Sequence, residues 1–142
     1  SENLRFHFED LDTTIENIFK LSTNEIFLKY GEKEFRNAET KALLNSEAVI
    51  ISCGGGVILK RENRSFIKKG VSFFLNVDLN ELVRRLEHAN NRPLLNSKNL
   101  KEDLESLWKK RKDLYLDTAD YVININNESP NDIAQKIMEY VK

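Results

Sequence analysis

The chain has 142 residues, 40% of them hydrophobic and 32% charged, and its 22 basic and 23 acidic side chains leave a net charge of −1. That length suits a single domain able to bury a real core, and the charge balance shows no basic surplus of the kind that nucleic acid or an anionic membrane surface selects. One cysteine rules out an intramolecular disulfide framework and fits a reducing compartment. No apolar run approaches the roughly 18 residues of a membrane span and no secretory leader pattern opens the chain, so a cytoplasmic protein is expected.

In chain order, Leu4-Arg5-Phe6-His7-Phe8 alternates apolar and polar residues, which predicts a short strand. Asp10-Leu11-Asp12 follows at the strand's carboxyl end. Two carboxylates at this spacing can hold Mg²⁺ and a substrate hydroxyl, and either one can equally cap a helix over residues 13–20. Ser22-Thr23-Asn24-Glu25 is a capping box that opens a helix carrying Ile26 and Phe27, with Gly31 suited to close it. A further helix over 32–44 contains Phe35, Arg36 and Glu39. Arg36 and Glu39 share a face, and their position alone favours a surface ion pair; the alternative is a guanidinium fork offered to a carboxylate ligand.

Val49-Ile50-Ile51-Ser52 has the apolar run of a buried parallel strand and leads through Cys53 into Gly54, Gly55 and Gly56. Three glycines leave main-chain N–H groups open to a ligand at the carboxyl end of a strand, although a tight turn explains a lone triplet as well. Residues 60–69 suit a polar helix and 71–77 a strand, and Asp78 caps a helix over 79–87 with Glu81 in its first turn. Residues 88–99 hold Asn90, Asn91, Asn96 and Pro93 with little periodicity, as in a mobile loop or lid; His88 reads as solvated at a helix end. A long helix over 100–116 buries Leu100, Leu104, Leu107, Trp108, Leu114 and Tyr115, with Lys109, Lys110, Arg111 and Lys112 as a solvated basic face. A strand over 121–126 and a helix opened by Ser129-Pro130 complete the chain. Strands alternating with helices predict an α/β domain over 1–142, with a parallel sheet covered by helices on both faces and an anion-binding cleft.

These motifs together resemble shikimate kinase, a small P-loop kinase family of the nucleoside-monophosphate-kinase type. The resemblance runs in order through Asp10-Leu11-Asp12 with Ile15-Glu16, Glu25-Ile26-Phe27, Gly31-Glu32, Phe35-Arg36 and Glu39. It continues through Ile50 to Gly56, Glu62-Asn63-Arg64, Arg92-Pro93-Leu94-Leu95, and Arg111 with Tyr115 and Ala119. It implies a monomeric enzyme that moves the γ-phosphate of ATP to the 3-hydroxyl of shikimate, with Mg²⁺, in aromatic amino-acid biosynthesis. On that resemblance Asp12 binds the substrate hydroxyls and is the candidate base, and Asp10 is the acid associated with Mg²⁺. Arg36 and Arg111 hold the shikimate carboxylate, and Gly54, Gly55 and Gly56 bring main-chain donors to substrate and γ-phosphate. Arg92 is the lid arginine that closes on the ATP phosphoryl group, while Phe27, Phe35, Glu39, Pro93 and Leu94 line or brace the pocket. Lys109, Lys110 and Lys112 have no counterpart and stay solvated.

The family pattern also has a first strand, central in its sheet, followed by a Gly-x-x-Gly-x-Gly-Lys-Ser/Thr loop that cradles phosphates. None of the five glycines here precedes a Lys-Ser or Lys-Thr pair. The expectation is a part of a complete kinase, with a strand supplied by another chain or a binding-only relative as the competing explanations. Cys53 stands where the family more often has Thr or Ser and reads as a small buried apolar residue or as a weaker partner for metal-bound water.

Overall fold

The computed structural model describes residues 6–87 and 100–141, and the chain divides into two compact units, Ser1–Lys69 and Gly70–Lys142. The first unit contains β1 (Phe8–Asp10), α1 (Leu11–Phe19), α2 (Thr23–Asn45), β2 (Ile50–Ser52), a 3-10 turn (Gly55–Leu59) and α3 (Arg61–Ile67). β1 and β2 are parallel, with Phe8 opposite Ile50 and Asp10 opposite Ser52. Pairing therefore falls on residues 8–10, later than the alternation over 4–8 predicts, and residues 1–5 lie outside the described set. Register is the reason: Leu11, fully buried, starts α1, and the residues just before it are the ones drawn level with β2.

Leu11 and Ile15 are four apart on α1, both wholly buried, and they face α2. Lys20 ends α1 in the left-handed region at φ 56°. The predicted capping box opens α2: Ser22 Oγ accepts from the Glu25 N–H and Glu25 Oε1 from the Ser22 N–H, each at 3.2 Å. Gly31, at φ 87° and ψ 170°, breaks this long segment where the sequence places the boundary between two helices. Beyond it Phe35, Ala42 and Leu43 join the core with Glu39 and Thr40. Glu9 ties β1 to both helices, accepting from Ser46 Oγ at 2.5 Å and from Thr14 Oγ1 at 2.8 Å. Those two hydroxyls, Ser46 first, hold its carboxyl below the usual range.

The second unit contains β3 (Phe73–Val77), α4 (Leu79–Glu87), α5 (Leu100–Thr118), β4 (Tyr121–Ile125) and α6 (Pro130–Val141). β3 and β4 are parallel, Phe73 opposite Tyr121 through Val77 opposite Ile125. Ile123 and Ile125 point inward at alternate positions, and Phe74 stacks on Tyr115 of α5 with ring centres 4.5 Å apart. Asp78 Oδ2 accepts from the Glu81 N–H at 3.3 Å and Ser129 Oγ from the Asp132 N–H at 3.2 Å, so both predicted caps form. Each unit thus joins a parallel strand pair through helices, the α/β arrangement. Among the described residues, no helix is long and apolar enough to cross a membrane.

Candidate functional site

Local structure carries Asp10 and Asp12 to the same strand end in different roles. Asp10 is the N-cap of α1, its Oδ1 accepting from the Thr13 N–H at 3.3 Å. The capping alternative holds for this residue. Asp12 sits in the first turn of α1, half-buried, and turns toward the glycines. A methyl group added at Gly54 would stand 3.3 Å from Asp12 Oδ1 and 3.5 Å from Glu39 Oε2. One added at Gly56 would collide with the guanidinium of Arg36. At neither position is the glycine required by φ, since Gly54 lies at −73° and Gly31 is the one glycine with positive φ. The glycines are there for space: they let main chain pack directly on two carboxylates and a guanidinium.

The Arg36–Glu39 pair is where position in sequence misleads most. The two side chains do pair, Nη1 to Oε1 at 3.0 Å, yet they are only 13% and 1% exposed. Helix-face spacing brings them together, and the packing of α2 against the glycine turn takes them out of water. The guanidinium also lies over the rings of Phe27 and Phe35, 5.9 and 5.3 Å from their centres, and its Nε is 3.5 Å from Glu32 Oε1. Phe27 and Phe35, themselves 4.7 Å apart, therefore brace the arginine. Its fork is held on one edge by Glu39, and its buried Nε has no hydrogen-bond partner among the described residues.

Cys53 departs from the reading as a small buried residue: it is exposed. Its thiol is nevertheless pushed up to about 11, first by lost hydration and then by the fields of Glu39, Asp12 and Asp10. It stays a neutral thiol at physiological pH, with little nucleophilic character.

Among the described residues, no group of three or more His, Cys, Asp or Glu side chains could hold a metal ion by itself. An open depression of about 760 Å³ is lined by Leu44, Lys60, Arg61, Glu62, Ser65, Phe66 and Lys69, and none of Asp12, Arg36 and Gly54 borders it.

In the second unit Arg111 is 9% exposed, whereas Lys109, Lys110 and Lys112 beside it are exposed. The solvated reading is right for the lysines and wrong for the arginine. Leu104, Arg111 and Thr118, spaced by seven, form the buried stripe of α5. That interval was the available signal, hidden by the run of neighbouring charges. Arg92, Pro93, Leu94 and the whole 88–99 segment lie outside the described residues. Asn63 and Arg64 of the Glu62-Asn63-Arg64 motif both contact the glycine turn from behind.

A sequence-family model described as shikimate kinase matches residues 1–142. A shikimate kinase of Synechococcus elongatus is 37% identical over 145 residues, covering 99% of this chain and 76% of the relative. One of Thermodesulfovibrio yellowstonii is 37% identical over 143 residues, covering 98% of this chain and 82% of the relative. Among solved structures, a shikimate kinase of Acinetobacter baumannii in complex with shikimate matches with a TM-score of 0.93 and 35% identity, covering 99% of this chain and 80% of that one. Another, from Bacteroides thetaiotaomicron, matches with a TM-score of 0.85 and 32% identity, covering 99% and 86%. This chain, with its α/β fold of parallel strands, belongs to the shikimate kinase family, enzymes that phosphorylate shikimate in aromatic amino-acid biosynthesis.

Proposed function

We propose that Asp12, Arg36 and the turn at Gly54–Gly56 form the shikimate-binding half of an ATP-dependent kinase site. The convergence of Asp12, Glu39 and Arg36 on two glycines that admit no side chain carries the proposal. Asp12 hydrogen-bonds the substrate hydroxyls and takes the proton from the 3-hydroxyl as it attacks. Arg36, held at one edge by Glu39 and stacked on Phe27 and Phe35, offers its remaining donors to the shikimate carboxylate. Arg111 joins it on the strength of the family motif; it is buried and has no ion pair among the described residues.

Phosphoryl transfer asks a protein mainly to align the reactants and to neutralise charge on the transferring oxygens. Main-chain N–H groups of the glycine turn and Arg92, by its motif, are assigned to that task, with Pro93 and Leu94 lining the pocket. Mg²⁺, when bound with ATP, supplies charge neutralisation at the phosphates, and Asp10 would hold it through water. The reading carries a cytoplasmic monomer with small-molecule partners. It is tested by shikimate-dependent ADP production with Asp12→Asn as the comparison. Loss of a general base should lower kcat about 10²–10⁴-fold while shikimate still binds. Unchanged turnover would remove Asp12 from the chemistry.

A further inference from the structure

The glycine turn is held from its far side. Three consecutive carbonyls at its end, those of Val57, Ile58 and Leu59, have no helix continuing beyond them to supply donors. α3 supplies those donors. Asn63 Nδ2 donates to the Val57 carbonyl at 2.9 Å, and Arg64 Nη1 donates to the Ile58 and Leu59 carbonyls at 2.7 and 3.2 Å. Asn63 is 1% exposed, and its Oδ1 has no hydrogen-bond partner among the described residues. An amide buried this deeply whose oxygen meets no protein donor is a poor choice for stability alone. What the residue does provide is a donor at one point on the turn's main chain.

That main chain is also the surface Arg36 rests on. A shift of the turn is felt at once by the guanidinium, because nothing but an α-carbon separates Gly56 from it. At Gly54 the same shift changes the gap to Asp12 and Glu39. We propose that Asn63 and Arg64 are positioning residues for shikimate: through the turn's carbonyls they set where Gly54 and Gly56 stand against Asp12 and Arg36. The inference rests on the proposed role of that turn in binding shikimate. It assigns a task to the Glu62-Asn63-Arg64 motif that neither substrate contact nor helix propensity explains.

The test is steady-state kinetics with melting curves on Asn63→Leu, which keeps the branched shape, adds bulk and loses the donor, and on Arg64→Met and Arg64→Lys. Displacement of a binding surface without loss of its groups should raise the KM for shikimate about tenfold, leaving the KM for MgATP within about twofold. Arg64→Lys should recover part of the loss, because an ammonium still reaches one carbonyl. A lower melting temperature with unchanged shikimate KM, or equal changes in both KM values, would overturn the proposal and leave a structural role only. Should Asn63→Leu fail to fold, the half-buried Arg64 pair decides the question alone. Arg36→Ala runs alongside: if it too leaves shikimate KM unchanged, the underlying site is wrong. If it raises KM while the α3 variants do not, only the positioning role falls.

Discussion

Two arginine–glutamate clusters in this chain share one spacing and differ in almost everything else. On α2, Arg36 and Glu39 are three residues apart and meet at 3.0 Å with 13% and 1% exposure. On α4, Glu81 and Arg84 are also three apart and meet at 2.6 Å, with Arg85 joining at 3.0 Å, but the arginines are 64% and 43% exposed. Glu81 is pulled down to about 2 by hydrogen bonds from Arg84 and then Arg85. That large shift accompanies a cluster whose arginines stand in solvent beside a half-buried Glu81, whereas the α2 pair sits against aromatic rings and bare glycine main chain. Spacing along a helix decides who can meet. Burial decides what the meeting is worth.

The comparison breaks most sharply at Arg36. Arg36→Ala removes the charged partner of the buried Glu39 carboxylate, and removing one partner of a buried pair costs about 3–5 kcal/mol. A fall of that size in urea unfolding, together with loss of shikimate affinity in calorimetry and little change for ATP, is expected. Unchanged shikimate affinity would mean that the fork serves the fold alone. Next comes Gly56→Ala, which forces a methyl group into the guanidinium. Overpacking costs about 1–3 kcal/mol, and shikimate KM should rise because the guanidinium must move aside. If Gly56→Ala binds shikimate normally, the close approach has no functional meaning.

Glu9 is an intermediate case, a half-buried carboxylate held by two hydroxyls. Its folded pKa is lowered, so its contribution is present above the ordinary carboxylate range and disappears as pH falls through the folded value. Ser46→Ala removes the larger cause and should destabilise by about 1 kcal/mol at neutral pH. The gap from the wild type should narrow as unfolding is measured at progressively more acidic pH; a gap independent of pH would show that the hydroxyl acts through packing. The smallest effect belongs to Glu81→Gln. Its melting temperature at moderate salt should be indistinguishable from wild type, since the charges it releases are solvated and screened. A clear drop would make the α4 cluster more than a surface feature.

Much of this was open to reading along the chain. The capping box at Ser22 and Glu25, the break at Gly31, the helix over 79–87 and the caps at Asp78 and Ser129 all rest on interactions between residues a few positions apart. Such signals survive in sequence because their geometry is local. The first strand was misplaced because pairing with β2, a partner some forty residues away, set its register. Four consecutive charges make Arg111 read as part of a solvated face, masking a seven-residue buried stripe shared with Leu104 and Thr118.

The order of elements, the helix ends and the family follow from the residues alone, because motifs such as Asp-Leu-Asp and the glycine triplet keep their spacing. Such motifs also mark Asp12, Arg36 and Gly54 as candidates. That Asp10 caps a helix while Asp12 faces the glycines emerges with packing in three dimensions. The same packing buries Arg36 and Glu39 and sets Asn63 and Arg64 to hold the turn from behind. Those outcomes depend on which surfaces lose their water when distant segments pack, and loss of water is a property of the folded neighbourhood.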